Sequence, residues 1–165
     1  MNPYMYIGLP RSTQLAYMTR QKPLLQIITK EFALQPGDLK LKSRKQEIVG
    51  GRHLYSAIMY HMYSYMSIAD IGKEVGVDHA TVLHGCKMTA LFLVQEPEYR
   101  RKAIAVMTSF LRLTYPKMAD WFIVKQTKAM IERLMINESR QERNRRRSGQ
   151  TTITLPSRMS EVESA

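Results

Sequence analysis

Residues 67–87 read SIADIGKEVGVDHATVLHGCK, and that stretch leaves the chain few ways to fold. Ser67 is an N-cap residue ahead of Ile68, Ile71 and Val75, which share one face of a short helix. Gly76 stands where a helix ends in a left-handed residue, a conformation that glycine adopts without steric cost. Asp78 then caps a second, longer helix with Val82, Leu83, Cys86 and Leu93 as core candidates. Helices joined this tightly must cross, and Gly72 supplies the small residue at the crossing, with Ile71, Val77 and Val82 locking the pair. The pattern is a helix-turn-helix. It places His79, Ala80, Thr81 and His84 at the exposed start of the second helix, the end by which recognition helices reach base edges.

The flanking sequence supplies further helices and no convincing strand alternation, so an all-α chain is expected. Residues 1–22 contain Arg11, Arg20 and Lys22 and no acid, with Pro3, Gly8 and Pro10 discouraging regular structure. They read as a flexible basic arm. Pro23 can open a helix carrying Leu24, Leu25, Ile28 and Phe32 at helical spacing. The QPGD sequence at residues 35–38 breaks it, and Leu39 and Leu41 are expected to anchor a short second helix. A basic stretch from Lys40 to Arg52, interrupted by Gly50-Gly51, leads to a buried helix over 53–66 with the stripe Leu54, Ile58, Met62 and Tyr65. Pro97 opens a helix to Leu113 that packs Ile104, Met107 and Leu111. Pro116 marks the end of a domain spanning 23–115. Beyond it, 116–147 is expected to be one apolar helix, burying Trp121 and Phe122, that dissolves into the arginine run RQERNRRR at 140–147. Residues 148–165 are read as a disordered tail.

Charge narrows the function. Twenty-five Lys and Arg against fourteen Asp and Glu give a net charge of +11 and a pI near 9.9, which favours a polyanionic partner. The lone Cys86 forbids an intrachain disulfide and fits a reducing compartment. No secretory h-region or span of about 20 apolar residues is visible, so a cytoplasmic protein without membrane contact is expected. His79 and His84 are five apart, a poor spacing for a zinc pair, and Cys86 points inward by helical phase. No nucleophile elbow occurs. The chain is expected to need no metal or cofactor and not to be an enzyme.

The string Asp78-His79-Ala80-Thr81-Val82-Leu83-His84-Gly85-Cys86-Lys87 resembles the signature of the C-terminal DNA-binding domain of the bacterial replication initiator DnaA. The resemblance runs upstream through LKLKSRKQEIVGGRHLYSAIMY and IITKEFALQPGDL, covering roughly residues 22–114. It implies a six-helix, Trp-repressor-like helix-turn-helix domain, here followed by an extra C-terminal helix. It also implies double-stranded DNA as partner. His79 and Thr81 would face bases or flanking phosphates, the methyl of Ala80 could touch a thymine methyl, and His84 and Lys87 would sit by phosphates. Arg44 would enter the minor groove, while Arg52 and His53 would hold the backbone. Lys42, Lys45 and Lys73 complete the expected DNA-binding set. The family's turn is shortened at Gly76-Val77-Asp78, its first-helix proline is Ala69, and its hydroxyl at position 80 is lost.

The initiator's ATPase module would precede such a domain, and no G-x-x-x-x-G-K-[ST] loop occurs in the chain. The expectation is a stand-alone, sequence-specific DNA reader in replication initiation or transcription control, with a phage or mobile-element source open. The alternative is an adaptor that docks a replication protein through its C-terminal helix, with DNA contact only for localisation; a homo-oligomer through residues 116–136 is a further open expectation. Arg140, Arg143, Arg145, Arg146 and Arg147 are open to two readings, a solvated tail or extra phosphate contacts.

Overall fold

The computed structural model describes residues 21–64 and 66–148. The basic arm, Tyr65 and the polar tail beyond Ser148 lie outside the described residues. Among the described residues the chain is all-helical: α1 (Gln21–Glu31), a 3-10 turn (Asp38–Lys40), α2 (Gln46–Met62), α3 (Ile68–Val75), α4 (His79–Gln95), α5 (Pro97–Thr114), α6 (Asp120–Ile136) and α7 (Arg140–Arg147). None of these helices is long and apolar enough to cross a membrane.

The central helix is α2, which packs most extensively on α4. It begins at Gln46 rather than His53 and runs straight through Gly50-Gly51. That glycine pair is a point of close approach instead of a break. A Cβ on Gly51 would sit 2.9 Å from the Leu39 side chain and 3.2 Å from that of Ile28, so the bare backbone lets α1 and the 3-10 turn close on α2 without displacing either side chain. Leu24, Ile28, Leu54, Ile58, Val106 and Met107 are fully buried in the resulting core. Tyr99 completes it with a polar tie, donating its hydroxyl hydrogen to the Gly50 carbonyl at 3.1 Å.

Four expected core residues are exposed instead, and Phe122 is only half-buried. Leu39 is buried but Leu41 is exposed, because the 3-10 turn ends at Lys40 and the chain leaves extended. Leu83 and Ile104 each follow a buried residue by one position, and the 100° helical step turns them outward. Trp121 is 68% exposed: α6 buries Ile123, Met130, Ile131 and Leu134, and Trp121 lies two residues from Ile123, on the opposite side.

The C-terminal segment is two helices, not one helix fading into a tail. Asn137 takes a left-handed φ of 50° and stops α6. Ser139 and Glu142 then form a capping box that starts α7. The arginines divide. Arg140 turns inward, its guanidinium donating to the carbonyls of Tyr60 (3.1 Å), Tyr63 (3.1 Å) and Met66 (2.6 Å). Its guanidinium carbon also lies 4.4 Å from the Tyr60 ring centroid. Arg143 donates to the His61 carbonyl at 3.0 Å. The last carbonyls of a helix have no partner within it, so this pair caps α2 from outside. Arg145 and Arg146 stay exposed, Arg146 pairing with Glu138 at 3.0 Å.

His61 lies under the same clasp, 1% exposed, with Nε2 3.0 Å from the side-chain oxygen of Asn137. Burial pushes its pKa down to about 4, helped by Arg143, Arg133 and Arg140, while the Asn137 hydrogen bond opposes the shift. The fold therefore prefers neutral imidazole. Its contribution is complete above the ordinary value near 6.5 and is lost as pH falls toward 4. Between pH 7.5 and pH 5 this one group should remove about 2 kcal/mol of stability. Urea unfolding at both values should show the loss, and His61→Gln, which can still donate to Asn137, should reduce it by about that amount. An equal pH dependence in the variant would sink the assignment.

Candidate nucleic-acid interface

The helix-turn-helix forms as its residues dictate. Ser67 Oγ accepts from the Asp70 N–H at 3.0 Å to start α3, and Gly76 ends it with φ 67°. A Cβ at Gly72 would collide with the Val77 carbonyl oxygen, so the turn can fold back over α3 only at a glycine. Asp78 Oδ1 accepts the Thr81 N–H at 2.7 Å to start α4. Hydrogen bonds from the Thr81 side chain and then its backbone hold the Asp78 carboxyl below the usual range, so the cap is charged at neutral pH.

From this frame α4 presents one exposed stripe: His79 and Ala80 in its first turn, then Leu83 and His84, then Lys87. Thr81 is half-buried. Opposite the turn, Lys42, Ser43, Arg44 and Arg52 face Gly76, Val77, Asp78 and Thr81 across one concave surface of about 380 Å³. The loop and the recognition end of α4 are thus brought together. Gly76 sits close under the loop's start, where an added Cβ would come within 3.1 Å of the Lys40 carbonyl. Lys42, Arg44 and Lys45 are exposed.

Three expected contacts are placed differently. Arg52 donates from Nη2 to the Ser43 carbonyl, so it holds the basic loop in place. His53 is buried, between α2 and α4, with its ring 5.8 Å from His84 and 6.5 Å from Phe92. Burial first, then the charges of His84 and Arg52, push its pKa down to about 4, so it is a neutral packing group rather than a backbone clamp. Lys73 is exposed on α3 but pairs with Asp70 at 3.2 Å and lies outside the concave surface. Cys86 is buried and its thiol is pushed up to about 12, which leaves it inert as a nucleophile. Leu83 was missed as a surface residue. Its spacing of three from Ala80 was the available signal.

Residues 22–88 match the bacterial dnaA protein helix-turn-helix family. This segment is a DnaA-type helix-turn-helix domain. The match stops within α4, short of the expected limit at residue 114, so α5, α6 and α7 lie beyond it. The chromosomal replication initiator protein DnaA of Bacteroides thetaiotaomicron is 40% identical over 65 residues, 39% of this chain and 14% of that protein. The DnaA proteins of Flavobacterium psychrophilum and Porphyromonas gingivalis are 31% and 38% identical over 77 and 63 residues, covering 46% and 38% of this chain. The matched part is 16% and 13% of their own length. No solved structure matches the chain at a comparable level. In the DnaA-type domain the turn, the loop and α4 form the contiguous surface described above.

Proposed function

We propose that the chain binds double-stranded DNA sequence-specifically, with α4 entering the major groove and the basic loop following the adjoining backbone or minor groove. The observation that carries this reading is the juxtaposition of the exposed α4 N-terminus with Lys42 and Arg44 across one concave surface. The net charge of +11 supports a polyanionic partner. The relatives that share the domain are replication initiators, which favours a role at replication initiation over transcription control. His79 and Ala80 are the base-facing candidates, Ala80 offering its methyl to a thymine methyl. Thr81, half-buried and tied to Asp78 through its N–H, completes the recognition end of α4. His84 and Lys87 face phosphates.

Selection from random duplex DNA should enrich one motif. On that site, His79→Ala should cost about 1–3 kcal/mol and relax the preference at one position. Arg44→Ala should weaken binding most on A·T-rich flanks, where the minor groove is narrow and its potential most negative. Lys87→Ala should lower affinity evenly and flatten the log–log salt dependence by about 0.9. Equal binding to all duplexes, or no change in any of the three variants, would overturn the reading.

A further inference from the structure

We propose that α6 pairs with α6 of a second copy of this chain, antiparallel, about a two-fold axis that passes between Lys128 and Ala129. The inference concerns a surface outside the matched domain and does not depend on DNA binding. Trp121, Lys125, Lys128, Glu132 and Ile136 are all exposed and follow one another at helical spacing along the outward side of α6. The apolar groups stand at its ends, Trp121 68% and Ile136 74% exposed, and charges of both signs lie between them. The neighbouring charges are engaged elsewhere: Asp120 pairs with Arg112 at 3.1 Å and Glu138 with Arg146 at 3.0 Å. Arg133 is half-buried and lines a groove of about 470 Å³ between α6 and α7 that Ala129, Glu132 and Ile136 also border.

A two-fold contact requires that a face complement itself when turned end for end. About this axis the outward side of α6 does so. Trp121 comes opposite Ile136 of the second copy at each end, beside the mouth of the groove. Lys125 comes opposite Glu132 once on each side of the axis. Lys128 lies next to the axis, opposite the small Ala129 and one turn from Glu132 of its own helix, and its long stem lets the ammonium reach solvent. The match is confined to one register. Slid by a turn in one direction, Trp121 faces Glu132 and Lys125 faces Lys128. Slid by a turn in the other, Lys128 faces Arg133 and Lys125 faces Ile136. A parallel copy sets each charge against itself. Other occupants fit less well. A wholly acidic helix would place its carboxylates against Glu132, and duplex DNA would press phosphates on Glu132, Trp121 and Ile136. The paired face is about 22 Å long and one helix wide, so the dimer should depend on concentration rather than be obligate.

Sedimentation equilibrium of the nuclease-treated full chain, over about a hundredfold range of concentration, should show a monomer–dimer equilibrium. Trp121 is the chain's only tryptophan, and its emission should shift to the blue over the same range. K125E and E132K, both at exposed positions, each set like charges against one another at both pairs and should weaken the dimer by about tenfold or more. Mixed in equal amounts, the two variants are complementary again and should associate with each other where neither does so alone. Damage to the fold by either change would not be repaired by mixing, so the recovery reports the pairing itself. A monomer at every concentration overturns the proposal. So does a dimer that both single variants leave intact, or a mixture of the two that fails to associate.

Discussion

A chain ending at Thr114 should not hold the native fold. It loses α6 and with it Ile123, Met130, Ile131 and Leu134, all buried against the rest of the protein. Burying a side chain of this kind contributes about 1.5–3 kcal/mol, so the four together supply roughly 6–12 kcal/mol. Domains of this size are stable by about 5–15 kcal/mol. The truncated chain would also expose the apolar sides of α4 and α5, on which α6 packs. Circular dichroism should show no cooperative melting transition above 25 °C. A monomer that melts cooperatively, within about 2 kcal/mol of the full chain, would show that α6 is an appendage and the estimate wrong.

Arg140→Ala should be the most damaging single change in the arginine run, at about 3 kcal/mol. It removes a charged donor from three carbonyls, in the last turn of α2 and in the chain just beyond it, and a cation from the Tyr60 ring. The melting temperature should fall by about 6–12 °C. Arg140→Lys should restore less than half of the loss, because an ammonium cannot fork across three acceptors. Arg145→Ala, at an exposed position of the same helix, should change stability by less than about 0.5 kcal/mol. Equal effects at positions 140 and 145 would mean that the clasp carries no weight.

The helix-turn-helix was legible because its signals are local. Ser67, Gly76 and Asp78 act within a few residues of themselves, and each takes the conformation its side chain calls for. What could not be read depended on partners distant in sequence. Gly50-Gly51 looks like a break until Leu39 and Ile28 are seen pressing on it. Arg52 looks like a phosphate ligand until the Ser43 carbonyl is found beside it. His53 is a surface histidine by composition and a buried one by the crossing of α2 with α4, where Gly85 leaves room for its ring. The arginine run is the instructive case. Its helix was announced by Ser139 and Glu142, a local capping signal, but the run's density of charge argued for solvent. Only the carbonyl-rich end of α2 explains why two of those charges turn inward.

The Arg52 link to Ser43 has one more consequence. The loop bearing Lys42 and Arg44 is bonded to α2, and the turn before α4 rests against the loop's first residues. The two elements facing the concave surface are thus parts of a calliper whose gap is set when the chain folds. A ligand meeting both jaws does not have to order them, and it cannot widen one without moving the other. What such a surface selects is spacing as much as chemistry: a target whose two features stand at the wrong distance is refused by geometry before any side chain is consulted.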